Sequence, residues 1–292
     1  MFADSLVALV TPMTADEGVD LPAWRRLVRF HVDNGTAGVV VGGTTGESAT
    51  LSDAELLQLV TEAQEASAGR LQVIAGVGLP STAATVARVR ALAPLRPDGV
   101  LVVTPAYVKP TQEGLFRHYA AVAAASDLPV ILYNVPGRTG VDLAPATVGR
   151  LAAVPNVVAL KEAVAGAARV RELRAAAPDI AVLSGDDPTA REALLAGAVG
   201  VISVTANVAP RLMADMVAAA RRGDAAQAAA VDSRLAGLHE ALFAEPNPIP
   251  AKWALAQMGL MGEGIRLPLT PLTAAAQPKV LSALRQAGII PA

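Results

Sequence analysis

The feature that most limits the possible folds is a repeated alternation between short apolar runs and segments with helical spacing. Eight apolar runs occur between residues 6 and 204, and each ends in a turn or polar residue before the next unit begins. Continuous Val, Ile, Leu and Ala without polar alternation predicts parallel strands that are covered on both faces. Eight strand-then-helix units, each roughly 20 to 36 residues long, predict an α/β fold of the (β/α)8 TIM barrel class.

These runs give the predicted elements directly. Strands are predicted over residues 6–10, 38–41, 71–75, 99–103, 130–133, 157–160, 180–183 and 199–204. Helices are predicted over residues 21–34, 112–125, 144–153 and 165–177. Ser52, with Glu55 in the capping-box position, and Ser81 begin two further helices, and Pro188 is expected in the first turn of another.

The strand signal stops near residue 224. Residues 224–243, 250–258 and 273–286 have the character of three helices. We therefore expect two domains, a (β/α)8 barrel over residues 1–223 and a C-terminal three-helix domain over residues 224–292. Residues 245–250 contain three prolines, which predicts an extended or turned connector.

Composition excludes several classes of function. A net charge of −2 and a pI near 6.0 favour neither nucleic acid nor a membrane surface as a partner. The chain has no cysteine, which excludes disulfides, Cys-ligated zinc and a thiol nucleophile and fits a reducing, cytoplasmic location. The start of the chain carries Asp4 and only a short apolar run, and no segment reaches the ~18 apolar residues of a membrane helix. We expect neither a signal peptide nor a membrane span.

The active site of such a barrel lies at the carboxyl ends of its strands. The polar or small residues at or beyond the ends of the predicted strands are Thr44, Thr45, Tyr107, Tyr133, Lys161, Gly185, Ser203 and Thr205. His31, His118 and His239 all fall in helical segments, where they are packing or surface residues. We therefore predict no metal site and no histidine-based mechanism.

Lys161 is the lysine that a buried strand would deliver to this end of the barrel. An amine there, among hydroxyl groups, suits Schiff-base chemistry, because the iminium it forms with a keto acid withdraws electrons and lets a neighbouring proton leave. Burial favours the neutral, nucleophilic amine. A structural ion pair with Glu162 is the alternative, but alternation along a strand sends Glu162 to the opposite face. This favours a functional lysine.

Three other features would complete a keto-acid site. Residues 42–48 (GGTTGES) lack the lysine of a phosphate loop, but their backbone N–H groups and threonine hydroxyls suit a carboxylate. Tyr107 and Tyr133 carry hydroxyls that both donate and accept a proton, although each also suits a core or interface position. Arg138, in the loop after the fifth strand, suits a bidentate carboxylate contact or simple solvation.

Six ordered motifs carry a resemblance to the dihydrodipicolinate synthase family. They are residues 43–48 (GTTGES), 133–140 (YNVPGRTG), 160–163 (LKEA), 184–187 (SGDD), 200–207 (GVISVTAN) and 246–250 (PNPIP). The resemblance covers essentially the whole chain. It implies a lyase of lysine and diaminopimelate biosynthesis that condenses pyruvate with L-aspartate 4-semialdehyde to 4-hydroxy-tetrahydrodipicolinate.

The same resemblance implies a role for each site residue. Lys161 would form the Schiff base with pyruvate, so that no separate cofactor is needed. The proton relay would be Thr44, Tyr133 and Tyr107, with Tyr107 reaching into a neighbouring subunit of a homotetramer built as a dimer of dimers. Thr45 would hold the pyruvate carboxylate, Arg138 would bind the semialdehyde carboxylate, and Gly185 and the Ile202 carbonyl would line the pocket.

One departure from the family concerns feedback by L-lysine. Where lysine-sensitive members place polar ligands, this chain has Leu56, Pro80, Ala84 and Ala106. We therefore predict weak or absent lysine inhibition. Ala106 also leaves Tyr107 without an aromatic neighbour.

Two alternatives remain. Related pyruvate-dependent aldolases, such as sialic acid or 2-keto acid lyases, share the lysine, the tyrosine and the Gly-Thr-Thr-Gly-Glu loop, and Arg138 is the residue that favours a short carboxylate-bearing second substrate. A noncatalytic barrel that serves as a binding protein would not need a lysine and a hydroxyl relay at the strand ends.

Overall fold

Eight parallel strands close a barrel in sequence order, as the alternating pattern predicts. The structure is a computed structural model and describes residues 2–291. The strands are β1 (Asp4–Ala8), β2 (Gly38–Val41), β3 (Gln72–Gly76), β4 (Gly99–Val103), β5 (Val130–Asn134), β6 (Val157–Glu162), β7 (Ala181–Ser184) and β8 (Gly200–Ser203). Each strand pairs with the next, and β1 pairs with β8, so the sheet has no free edge. The (β/α)8 prediction is confirmed.

The helices of the barrel follow their strands in turn. They are α1 (Leu21–Asp33), α2 (Asp53–Ser67), α3 (Thr82–Leu92), α4 (Gln112–Ala123), α5 (Pro136–Thr139), α6 (Pro145–Leu151), α7 (Ala167–Ala176), α8 (Ala190–Leu195) and α9 (Pro210–Arg221). Ser52 caps α2 in a complete capping box with Glu55, as predicted. The position expected for Pro188 is wrong, because α8 begins at Ala190 and its N-cap is Thr189.

Three further helices follow the barrel, as expected. They are α10 (Ala225–Ala241), α11 (Ile249–Gln257) and α12 (Gln277–Gln286). Their apolar side chains belong to the same hydrophobic cluster as the outer face of the barrel, with Leu235, Trp253 and Leu284 among its members. A boundary between domains at residues 223 and 224 stays a prediction, and residues 1 and 292 lie outside the described residues.

The two faces of the strands line two separate cores. The inner face fills the barrel with a small cluster that includes Leu6, Ile74, Ile131, Ala159 and Ile202. The outer face packs against the helices in a larger, mainly aliphatic cluster. Because successive strand residues point to opposite faces, the inward Ala159 fixes Lys161 inward and Glu162 outward. No helix within residues 2–291 is long and apolar enough to cross a membrane.

Candidate active site

The strand register brings Lys161 and Tyr133 side by side within the barrel. Tyr133 on β5 is the register partner of Lys161 on β6, and both side chains are buried. The Lys161 Nζ lies 4.4 Å from the centroid of the Tyr133 ring. The amine therefore lies against the face of the phenol ring.

Glu162, the neighbour that offered Lys161 an ion pair, is bound elsewhere. Its carboxylate accepts hydrogen bonds from Arg169 Nε at 2.9 Å, from Asn134 Nδ2 at 3.0 Å and from the Val164 N–H at 2.8 Å. Burial raises the pKa of Glu162, and these hydrogen bonds oppose that shift. Among residues 2–291, no carboxylate forms an ion pair with Lys161. Its amine is therefore not engaged in a structural ion pair with any of these residues.

The two threonines after β2 lie in a loop of successive tight turns. Thr45 is buried, and its Oγ1 accepts a hydrogen bond from Asn247 Nδ2 at 2.9 Å. The Gly46 carbonyl accepts a hydrogen bond from Thr11 Oγ1 at 2.7 Å, which ties the loop to the segment that follows β1. Thr44 and Tyr133 line one small cavity of about 20 Å³ beside this loop. The structure thus brings Thr44, Tyr133 and the loop together at the carboxyl end of the barrel.

Gly185 follows β7 and lies against the side chain of Lys161. Its N–H donates to the Glu162 carbonyl at 2.7 Å. A Cβ added at Gly185 would stand 2.7 Å from Lys161 Cε and 3.0 Å from Lys161 Cγ, which real Cβ atoms do not tolerate without movement. The absence of a side chain here leaves the room that Lys161 occupies.

The end of β8 is held by a buried carboxylate. Ile202 is fully buried and belongs to the inner core of the barrel. Directly beyond β8, Asp187 Oδ2 accepts hydrogen bonds from the N–H groups of Val204 at 2.9 Å and Thr205 at 2.7 Å. Asp187 comes from the polar stretch after β7, so the ends of β7 and β8 are tied together.

Arg138 and Tyr107 are the two predicted site residues that are not enclosed by this chain. Arg138 lies in the short helix α5, is exposed, and donates from Nη2 to the Asn247 carbonyl at 3.4 Å. The Tyr107 side chain is 92% exposed and its backbone is left-handed, with φ of 72°. The structure therefore places Arg138 at the rim of the site, whereas it does not bring Tyr107 to Lys161 within one chain.

Three residues near the threonine loop were missed by sequence reasoning. Asn247 contacts Thr45 with its side chain and Arg138 with its carbonyl. Lys252 in α11 forms a buried ion pair with Glu47 of the threonine loop. Burial lowers the pKa of Lys252, and the charge of Glu47 opposes that shift. The prolines around Asn247 indicated only a connector, and nothing in the local pattern of Lys252 or Glu47 pointed to a partner.

The three histidines are buried in the helices α1, α4 and α10 and not on the barrel strands. Their Nδ1 atoms lie 2.8–2.9 Å from threonine hydroxyls, those of Thr36, Thr82 and Thr205 for His31, His118 and His239 respectively. They are packing residues, which was one of the two predicted interpretations. Within residues 2–291, no group of three or more His, Cys, Asp or Glu side chains is arranged to hold a metal ion.

Comparison with known proteins gives one consistent result. The family model described as the dihydrodipicolinate synthetase family matches residues 1–287. The chain is 54% identical over 291 residues to the 4-hydroxy-tetrahydrodipicolinate synthase of Methylococcus capsulatus, covering 99% of this chain and 100% of that protein. It is 50% identical over 291 residues to the enzyme of the same name from Pseudomonas aeruginosa, with the same two coverages. The crystal structure of chloride-inhibited dihydrodipicolinate synthase from Acinetobacter baumannii, complexed with pyruvate, superposes with a TM-score of 0.98 at 48% identity, covering 99% of this chain and 100% of that one.

Proposed function

The chain belongs to the dihydrodipicolinate synthetase family, and from that membership we propose that it condenses pyruvate with L-aspartate 4-semialdehyde to give 4-hydroxy-tetrahydrodipicolinate. The enzyme is a lyase of lysine and diaminopimelate biosynthesis, and we place it in the cytoplasm. The observation that carries the proposal is Lys161, which lies in the barrel against the ring of Tyr133 while its neighbour Glu162 is bound to Arg169. A buried amine without a carboxylate partner is the group that Schiff-base chemistry requires.

The first half of the reaction forms the Schiff base. The neutral amine of Lys161 attacks C2 of pyruvate, and the ketone oxygen leaves as water, which gives an iminium on Nζ. The iminium withdraws electrons from C3, so that C3 loses a proton and an enamine forms. Thr45 would hold the pyruvate carboxylate through its hydroxyl, while Thr44 and Tyr133, which line one cavity, would carry the protons. No separate cofactor takes part.

The second half forms the carbon–carbon bond. C3 of the enamine attacks the aldehyde carbon of the semialdehyde, and the aldehyde oxygen becomes a hydroxyl by taking a proton from the relay. The amino group of the semialdehyde then displaces the Lys161 amine from C2, which closes the ring and frees the enzyme. Over the whole cycle, one water and the proton of the semialdehyde ammonium leave, and every other atom of the two substrates stays in the product.

Arg138 is proposed to bind the carboxylate of the semialdehyde. Its guanidinium is exposed at the rim and is anchored by the Asn247 carbonyl, which leaves other N–H groups of the fork for a ligand. Such a cation suits a short substrate that carries its own carboxylate, whereas a long polyhydroxy substrate needs hydroxyl-binding groups. The site therefore fits the semialdehyde better than a sugar acid.

Tyr107 is proposed to complete the relay from a neighbouring subunit. Its side chain is 92% exposed, and the adjacent Val108 is 55% exposed, so both apolar surfaces are uncovered in one chain. A homotetramer built as a dimer of dimers would cover them and would direct Tyr107 into the partner's site. Sedimentation of the wild type and of a Tyr107→Phe variant would measure whether each forms a tetramer. A change in assembly can then be distinguished from the loss of the hydroxyl.

Trapping of the pyruvate adduct tests the central step. The enzyme is incubated with pyruvate, reduced with borohydride and digested, and the modified peptide is located by mass. The sequence holds four lysines, at positions 109, 161, 252 and 279, so the result is unambiguous. We expect the adduct on Lys161 alone, and its absence in Lys161→Met. An adduct on another lysine, or none, would refute the mechanism.

A coupled assay then tests the second substrate. We expect turnover with aspartate semialdehyde and none with N-acetylneuraminate. Arg138→Ala should raise the KM for the semialdehyde and leave pyruvate trapping unchanged, because the guanidinium would touch only the second substrate. An Arg138→Ala enzyme with unchanged semialdehyde kinetics would remove that role from Arg138.

A further inference from the structure

The loop that carries Thr44 and Thr45 contains a charged residue that faces away from solvent. Glu47 is 4% exposed and adopts a left-handed backbone with φ of 59°. The left-handed conformation is unfavourable for a residue with a Cβ, so contacts around the loop must stabilise it. Its carbonyl and N–H are engaged within the loop, the N–H with the Thr44 carbonyl at 3.1 Å and the carbonyl with the Thr50 N–H at 3.0 Å.

The carboxylate of Glu47 is held by the C-terminal part of the chain. One oxygen accepts a hydrogen bond from the ammonium of Lys252, which is 2% exposed, and the other accepts from the Arg266 N–H at 3.3 Å. Lys252 lies in α11, five residues after Asn247, whose amide donates to Thr45. A single short segment therefore meets the loop at two points, one of them a residue that would bind substrate.

A buried ion pair is a costly way to join two surfaces. Desolvation of both charges offsets most of their attraction, so an apolar pair would serve stability as well or better. The ion pair instead fixes the relative orientation of the two side chains, because a charge-assisted hydrogen bond has a defined geometry. Glu47 lies three residues after Thr44 and two after Thr45, so the geometry fixed at Glu47 bears directly on both threonines.

We infer that Glu47 and Lys252 form a positioning pair, which holds the threonine loop in the shape that binds the pyruvate carboxylate. The inference rests on the proposed function, since it assigns the loop to pyruvate. It makes the C-terminal helices part of the substrate site, although neither Glu47 nor Lys252 touches the reacting atoms. Loss of the pair would then weaken pyruvate binding more than a loss of stability alone can explain.

The test measures the pyruvate concentration that half-saturates adduct formation on Lys161, by borohydride trapping. Lys252→Met removes the ammonium and keeps most of the apolar length. The matched control is Arg191→Met, because Arg191 pairs with Asp232 at 2.9 Å, joins α10 to α8, and makes no hydrogen bond or ion pair with the described residues 42–48 of the loop. We expect at least a tenfold rise for Lys252→Met and less than a twofold change for Arg191→Met. Lys252→Arg, which keeps the charge, should stay within about threefold of the wild type.

Two results would overturn the inference. One is a folded Lys252→Met enzyme with the half-saturating pyruvate of the wild type, and the other is an equal rise in Arg191→Met at matched loss of thermal stability. Should Lys252→Met not fold, Glu47→Gln carries the same test, because it keeps the shape of Glu47 and removes its charge. Trapping in the wild-type enzyme distinguishes a failure of the proposed function from a failure of the positioning pair. Without trapping in the wild type the proposed function fails, whereas trapping with no effect of these variants refutes only the positioning pair.

Discussion

Replacement of Gly185 by alanine should disable Lys161, the proposed Schiff-base lysine, without removing any reactive group. The new Cβ would stand 2.7 Å from Lys161 Cε, 3.0 Å from Lys161 Cγ and 3.3 Å from the Glu162 carbonyl oxygen. Carbon atoms in contact prefer about 3.5 to 4.0 Å, so the end of the lysine must move by about 1 Å. Misplacement of a reacting group by that distance costs about 10²-fold in rate, or about 3 kcal/mol of transition-state stabilisation.

The rate of adduct trapping with pyruvate measures this effect. Because the displaced atoms belong mainly to a flexible side chain, the thermal midpoint of Gly185→Ala should change little while trapping slows about 10²-fold. Gly137→Ala is the matched control, since a Cβ at Gly137 meets no atom within 4 Å. A Gly185→Ala enzyme that traps pyruvate at the wild-type rate would refute the view that Gly185 makes room for Lys161.

Three further predictions concern stability and regulation. Arg169→Met should lower the free energy of unfolding by about 3 to 5 kcal/mol at pH 7, because it leaves the charge of the buried Glu162 without its cation. The loss, measured by urea denaturation, should shrink at acid pH as Glu162, whose pKa burial already raises, takes up a proton. A loss that does not depend on pH would contradict this account. Burial lowers the pKa of His31 to about 3, so below about pH 6.5 the unfolded chain binds a proton that the folded chain does not. Urea titrations should therefore show stability falling by roughly 1 kcal/mol per pH unit between about pH 6.5 and 3 from this residue, and His31→Gln should remove that share of the slope. L-lysine should inhibit weakly or not at all, because Leu56 is 2% exposed and offers no polar group, and inhibition at submillimolar L-lysine in the coupled assay would contradict it.

The inward direction of Lys161 could be predicted because it depends on local pattern alone. Residues 157–160 form a continuous apolar run, and alternation along a strand separates Lys161 from Glu162 whatever the rest of the chain does. The structure adds what alternation could not supply, namely Arg169, Asn134 and the Val164 N–H as the partners of Glu162. The existence and order of the strands are predictable for the same reason, since apolar runs act over a few residues, but their ends are less so: β1 ends at Ala8 and not at Val10, and β6 extends to Glu162.

The contacts of Asn247 and Lys252 could not be predicted from the sequence, because they do not depend on local pattern. Asn247 meets Thr45 across 202 residues, and Lys252 meets Glu47 across 205. No local pattern specifies a contact at that distance along the chain, because it is fixed by how the C-terminal helices pack on the barrel. The prediction that Pro188 lies in the first helical turn was wrong for a local reason. Proline suits the first helical turn, but the N–H and hydroxyl of Thr189 donate hydrogen bonds to the Asp186 carboxylate. These bonds hold residues 186–189 in a turn, so the helix begins only at Ala190.

The same long separation between Glu47 and Lys252 bears on how the chain is made in the cell. Synthesis at about 5 to 20 residues per second would place roughly 10 to 40 s between the emergence of the two residues. Throughout that interval the barrel strands can pair in order, but the carboxylate of Glu47 has no cation to accompany it into the interior. The threonine loop should therefore stay open to solvent until the last helices arrive, so that a nascent chain remains unable to capture pyruvate until its translation is almost complete.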